Sequence, residues 1–171
     1  MWQSIVGLSI PSRFGVNIGY LLIENNEMTT CVFCNILSGL APANFVFRDD
    51  LCAAFMDIRP VNPGHVLVVP RAHSALLTEL DEACVGHMFQ VAERVDAALR
   101  ASGLKCEAVN LFLADGRAAG QEVLHVHLHV VPRFIGDGHH LRFSSANFVF
   151  RPPTELVRNA ELIRSKMGVV S

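Results

Sequence analysis

Polar and apolar residues alternate through LHVHLHVV (124–131) as far as Val130, the period of a strand with one face in a core. On such a strand His125, His127 and His129 leave one face while Val126, Leu128 and Val130 leave the other. FCNILSG (33–39) instead spaces Phe33, Ile36 and Leu37 as on a short helix, with Gly39 as its stop and Pro42 just beyond. NFVFRDD (44–50) and LCAAFMDI (51–58) predict two strands joined by a tight turn at Asp49 and Asp50. VNPG (61–64) signals another turn, and HVLVVP (65–70) has the apolar density of a central strand ended by Pro70.

Residues 81–102 set Val85, Phe89, Ala92, Val95 and Leu99 near a 3.6 period against Glu82, Gln90, Glu93, Arg94 and Asp96. That is the one long amphipathic helix. AVNLFLA (108–114) reads as a buried strand and ADGRAAGQE (114–122) as a glycine-bearing loop. Residues 154–166 read as a helix with Thr154 as N-cap, Glu155 in the first turn and Lys166 in the last. Residues 1–27 carry neither period and close on ENNE, so they read as an extension outside the core fold, with Met28 a candidate start. Short strands joined by tight turns between helices give an α+β class with an antiparallel sheet.

At 171 residues the chain suits one domain with a real core. Half of it is hydrophobic and its formal charge is −2, which exerts no net pull toward nucleic acid or an anionic membrane. A small ligand held by a local site fits better than a polymer. Five cysteines cannot all pair, and Cys52, Cys84 and Cys106 stand singly in apolar stretches, which suits reduced thiols in a cytoplasm. No run approaches ~20 uninterrupted apolar residues, so a membrane span is not supported. The opening MWQSIVGLSIPSRFG lacks a basic leader and makes a poor secretory signal.

The histidine row changes the picture most. On a regular strand neighbouring Cα atoms in the row lie ~6.6 Å apart and the outer two ~13 Å apart. One zinc ion can therefore take an adjacent pair but not all three. A neutral imidazole, with a pKa of ~6.5, can attack phosphorus, and like-charge repulsion keeps a central ring neutral. Phosphoryl or nucleotidyl transfer through a covalent histidine intermediate is a natural chemistry for such a row. The loop DGRAAGQ (115–121), with its backbone N–H groups and the Gln121 amide, is a candidate phosphate cradle beside it. Cys31 and Cys34 form a CxxC, which alone decides nothing between metal and redox roles; a thioredoxin-like site would want a preceding strand, and none is evident. His87, His139 and His140 read as solvated.

GQEVLHVHLHVVPR (120–133) resembles the signature of the histidine triad (HIT) proteins, and the resemblance extends through NPGHVLVVPRAH (62–73), FMDIRP (55–60) and CVFCNILSGLAPA (31–43). It covers residues 31–135 and is similar to the bacterial CxxC-bearing branch. It implies a HIT-like fold over residues 28–171: an antiparallel sheet of about five strands with one long and one or two short helices. His127 would be the nucleophile at the α-phosphate of an adenine nucleotide, His129 would contact the phosphate and leaving group, His65 would buttress the triad and Gln121 would hold the phosphate region. Asp57 would bond the ribose, and Phe33, Ile36, Phe55 and Ile58 would surround the base, although apolar residues at helix and strand spacing need no ligand to explain them.

Cys31, Cys34, His73 and His125 would hold a structural zinc, as in CxxC-bearing relatives and the related galactose-1-phosphate uridylyltransferases; no organic cofactor is implied. The substrates implied are diadenosine polyphosphates such as diadenosine tetraphosphate, or nucleoside phosphoramidates, and the assembly a homodimer. Many relatives carry Asn where this chain has Ala114, which puts one phosphate or water contact in doubt. Two other classes remain at this stage: a nucleotide-binding or scaffolding module with vestigial hydrolysis, and a cupin-like metal-dependent hydrolase.

Overall fold

The computed structural model describes residues 31–139 and 150–167. The expected extension over residues 1–27 and His140 lie outside the described residues. Among the described residues, those from Cys31 to Asp137 form one unit and those from Gly138 a second. In the first, helix α1 (Val32–Leu37) precedes strands β1 (Phe45–Arg48), β2 (Cys52–Met56) and β3 (Val66–Pro70), the long helix α2 (Glu82–Ala101), and strands β4 (Ala108–Phe112) and β5 (Leu128–Arg133). The sheet is antiparallel throughout, in the order β1-β2-β3-β5-β4. In the second unit, α3 spans Pro153–Arg164. The α+β class, the five-stranded antiparallel sheet and the one long helix with two short ones agree with expectation.

Strand alternation gives the sheet two working faces. Cys52 and Ala54 of β2, Val66 and Val68 of β3, and Leu128 and Val130 of β5 point to one side, where they pack with Met88, Val91, Ala92, Val95 and Leu99 of α2. Ala53, Phe55, Leu67 and Val69 point to the other and pack with Phe33, Cys34, Ile36 and Leu37 of α1. The helix α2 is held by its N-cap, Asp81, whose side chain accepts from the Cys84 N–H. At the other end of the sheet, Gly64 has φ +98°, and a Cβ there would stand 2.9 Å from Leu99 Cδ2 and 3.0 Å from Leu104 Cδ1. Only glycine turns the chain into β3 so close to α2.

Several local expectations are corrected. The buried face of α2 runs through Cys84, Met88 and Val91 to Val95 and Leu99, while Phe89 is exposed, because the sheet sits about one residue round the helix from the expected stripe. β4 is an edge strand with Leu111 and Phe112 half exposed, not a buried one. The N-cap of α3 is Pro152 rather than Thr154: Pro153, whose ring suits the first helical turn, starts the helix two residues earlier than that cap implies, and its last turn carries Arg164. His87 is not simply solvated, since its Nε2 lies 2.6 Å from Asp49 Oδ2. No helix among the described residues is long and apolar enough to cross a membrane.

Replacing Gly64 with Ala should destabilise the fold by about 1–3 kcal/mol, from the positive φ and the crowding against α2. Urea unfolding monitored by circular dichroism measures it, and an unshifted midpoint would refute the constraint.

Candidate active site and metal centre

The row of three histidines is not one regular strand. Ladder pairing of β5 with β3 runs from Val66 opposite Val130 to Val68 opposite Leu128 and stops there, so only His129 lies within the strand. Before it the Val126 N–H turns to the carbonyl of Ser74. Val126, Leu128 and Val130 still enter the α2-side core, as the alternation predicted. The three imidazoles, however, face three different environments, and their hydrogen-bond partners fix which ring nitrogen of each carries the proton.

His125 is fully buried and its Nε2–H donates to the carbonyl of Pro70 at 2.9 Å, so its lone pair is on Nδ1. That atom lies 3.4 Å from Cys31 Sγ, 3.6 Å from Cys34 Sγ and 3.3 Å from His73 Nδ1, while Cys34 Sγ and His73 Nδ1 are 3.3 Å apart. These are four of the six edges of a tetrahedron. Zinc bonds of ~2.0–2.1 Å to nitrogen and ~2.3 Å to sulfur give edges of ~3.4–3.8 Å, so the donor set fits a zinc ion. Burial, which outweighs the Pro70 bond, holds His125 down at about 4, and burial with the adjacent Cys31 thiol pushes Cys34 up to about 11. Without a cation these four donors converge with little positive charge to share among them. Cys31, Cys34, His73 and His125 would hold the ion, which would then cross-link α1 to the segments following β3 and preceding β5.

His127 has the opposite tautomer. Its Nδ1–H donates to the carbonyl of His125 at 2.7 Å, leaving the lone pair on Nε2. The Phe33 ring packs edge-on against it, with centroids 5.2 Å apart. In the adjoining pair, the Val61 N–H donates to His65 Nδ1 at 3.2 Å, so the His65 proton is on Nε2 and donates to His129 Nδ1 at 2.9 Å. His129 therefore keeps its own proton on Nε2. The rings of His127 and His129 are 4.9 Å apart, one presenting a base and the other a donor. Burial, followed by the neighbouring His127 and His65, holds His129 down at about 4. Burial also lowers His65, although Asp57, with Oδ2 3.5 Å from His65 Nδ1, opposes it; the loss of water outweighs the single carboxylate.

The remaining expected site residues divide. Asp57 is at the edge of this cluster, with Oδ1 accepting from the Arg59 N–H at 2.7 Å. Phe33, Ile36 and Phe55 are buried in the α1-side core, whereas Ile58 is 89% exposed. Gln121 does not present its amide to an open phosphate site: Oε1 accepts from the Gly116 N–H and Nε2 donates to the Ala75 carbonyl, at 2.8 and 2.9 Å. The glycine loop is likewise no open cradle, since the N–H groups of Ala119, Gly120 and Gln121 bond back to Gly116 and Arg117 carbonyls. Gln121 is thus a clamp between two loops. Ala114 is buried beside them. A cavity of about 280 Å³ under α2, lined by Phe47, Met56, Val91, Arg94 and others, contains none of the histidines. Sequence reasoning missed the backbone partners that set the tautomers, the Val61 N–H and the Pro70 and His125 carbonyls, because no side-chain pattern marks them.

A profile described as HIT domain matches residues 38–136. The chain belongs to the HIT family. An uncharacterized HIT-like protein of Borreliella burgdorferi is 40% identical over 112 residues, 65% of this chain and 81% of that protein. An adenylylsulfatase of Arabidopsis thaliana is 35% identical over 104 residues, 60% of this chain and 52% of that one. Among solved HIT structures, a zinc-bound histidine triad family protein of Mycobacterium smegmatis matches with TM-score 0.64 and 38% identity, covering 81% of this chain and 99% of that one. A HIT family protein of Bacillus subtilis matches with TM-score 0.70 and 27% identity, covering 81% and 97%. The five-stranded antiparallel sheet with its long helix thus has solved counterparts in the HIT family.

His65 and His129 are both held below the ordinary 6.5, so between pH 6.5 and about 4 the unfolded chain takes up protons that the folded site refuses. Stability should fall as pH drops through that window. Urea midpoints at about pH 7 and about pH 5 test this, and His129→Asn should show the smaller drop. An equal drop in the variant would remove His129 as a cause.

Proposed function

We propose that this HIT protein is a hydrolase acting at the α-phosphate of adenine nucleotides through a covalent nucleotidyl-histidine intermediate. The observation that carries the reading is the pair of opposite tautomers: a lone pair on His127 Nε2 beside a proton on His129 Nε2. His127 Nε2 attacks the α-phosphorus, and the bond to the leaving group breaks while His129 Nε2–H donates a hydrogen bond to the departing atom, which takes its proton from solvent. The charge that develops on His127 is met by its Nδ1–H bond to the His125 carbonyl. His65 then acts as a positioning residue, presenting its Nε2–H to His129 so that the donor tautomer is kept. Water then attacks the phosphorus, giving up its proton to solvent, and the bond between phosphorus and His127 Nε2 breaks, which releases the mononucleotide and restores the ring.

Phe33 backs the nucleophile, the side chains of Ile36 and Phe55 support it from the core, and Asp57 with the exposed Ile58 forms the rim suited to ribose and base. Gln121 serves this site by fixing the loop that precedes the histidines. The adenylylsulfatase relative supports adenine nucleotides with a leaving group on the α-phosphate as the substrate class. Diadenosine tetraphosphate and adenosine phosphoramidate represent its two main leaving-group types, an anionic chain and an amine. The four converging donors and the zinc-bound relative support a structural zinc at Cys31, Cys34, His73 and His125. The half-exposed apolar edge strand β4 supports pairing of two copies, and five free cysteines support a reducing cytoplasm.

His127→Asn should lower turnover of both substrates by about a thousandfold or more and abolish the nucleotidyl adduct seen by mass spectrometry in rapidly quenched wild type. Full turnover by the variant would remove His127 as nucleophile. Nucleotide binding by the wild type without turnover would instead support a binding module.

Cys34→Ser should lose the tightly held zinc and melt at lower temperature, while His127→Asn keeps both metal and fold. A stoichiometric zinc that survives Cys34→Ser would contradict the assignment.

A further inference from the structure

A second group of metal-ligating side chains lies away from the histidine row. Asp49 follows β1, Cys52 opens β2 and His87 is on α2, and one ligand atom from each lies within 4.8 Å of the other two. The turn shapes the carboxylate: Oδ1 accepts from the Leu51 and Cys52 N–H groups at 2.9 and 2.8 Å, which leaves Oδ2 to face His87 Nε2 at 2.6 Å. Cys52 is fully buried on the α2 face of the sheet. The Asp49 and His87 side chains are 30% and 20% exposed, so an ion has a route in from solvent.

We propose that Asp49, Cys52 and His87 form a second, weaker site for a zinc-class divalent cation, with water in the fourth position. An ordinary ion pair accounts for Asp49 and His87, but not for a thiol converging on the same point from the core. One sulfur, one imidazole nitrogen and one carboxylate oxygen are the ligand types of zinc; magnesium and calcium favour all-oxygen shells. The carboxylate is already limited to one free oxygen, which suits monodentate ligation. On binding, Cys52 gives up its proton to solvent, and the ion replaces the hydrogen bond between Asp49 and His87. The bound ion would staple the β1–β2 turn to α2 on the sheet face opposite Cys31 and Cys34. Its open fourth position distinguishes it from the closed four-ligand centre, and the inference does not depend on the proposed hydrolysis.

Cobalt(II) titration of the full chain, with zinc already in the four-ligand centre, tests the site. The expected result is one further equivalent with affinity on the order of micromolar, tetrahedral d–d bands, charge transfer from a single thiolate, and a raised melting midpoint. His87→Ala, at a partly exposed position outside the hydrophobic core that should keep the fold, removes this equivalent and leaves the tight zinc in place, and Cys52→Ala removes the charge-transfer band. Binding of only one metal in total, a second equivalent unchanged in His87→Ala, or cobalt uptake matched by zinc release into a chromophoric chelator would each overturn the assignment.

Discussion

The carbonyl of Pro70 is the hinge on which the site depends. At the end of β3 it would ordinarily accept a backbone N–H from the facing strand, but it accepts the His125 Nε2–H instead. The ladder therefore ends at Leu128, and the residues before it leave the sheet. A buried carbonyl must be satisfied by something, so the imidazole cannot leave without a cost of about 1–3 kcal/mol. That one bond removes His125 from the row, turns its lone pair toward Cys31, Cys34 and His73, and fixes the backbone carbonyl that His127 uses.

Burial does the rest of the electrostatic work. His65, His125 and His129 are held below the ordinary histidine range, with loss of water as the first cause in each. A solvated row would be partly protonated near neutral pH, and a protonated His65 could not accept the Val61 N–H. The direction of every bond in the chain Val61 to His65 to His129 follows from keeping those rings neutral. The desolvated pocket thus secures a lone pair at one ring and a donor at its neighbour without any carboxylate holding the pair directly.

Much of this was legible in the amino-acid sequence. The alternation over LHVHLHVV correctly sends Val126, Leu128 and Val130 into the core, while the spacing argument for the three histidines assumed a regular strand that the structure has only at His129. What failed had local physical causes. Gln121 and the DGRAAGQ loop looked like a phosphate cradle, but a short loop satisfies its own N–H groups first, and two left-handed glycines let it do so. AVNLFLA looked buried because an edge strand that leaves its apolar side chains half exposed has the same local pattern as a central one. The pairing of His87 with Asp49 joins residues 38 apart and no period predicts it.

The two centres are joined through three consecutive residues, and this sets an order of dependence between them. His125 contributes its ring to the four-donor cluster and its carbonyl to His127 Nδ1–H. A cation at the cluster would immobilise the ring and, through one Cα, the carbonyl. Without that anchor, the Pro70 bond alone would hold His125, and Cys34 beside it would stay a buried neutral thiol. The expected failure on metal loss is therefore not only a softer fold but a His127 ring free to exchange its tautomer, which would move the lone pair to Nδ1, away from His129. A metal that never touches substrate would still decide which nitrogen of the proposed nucleophile is available.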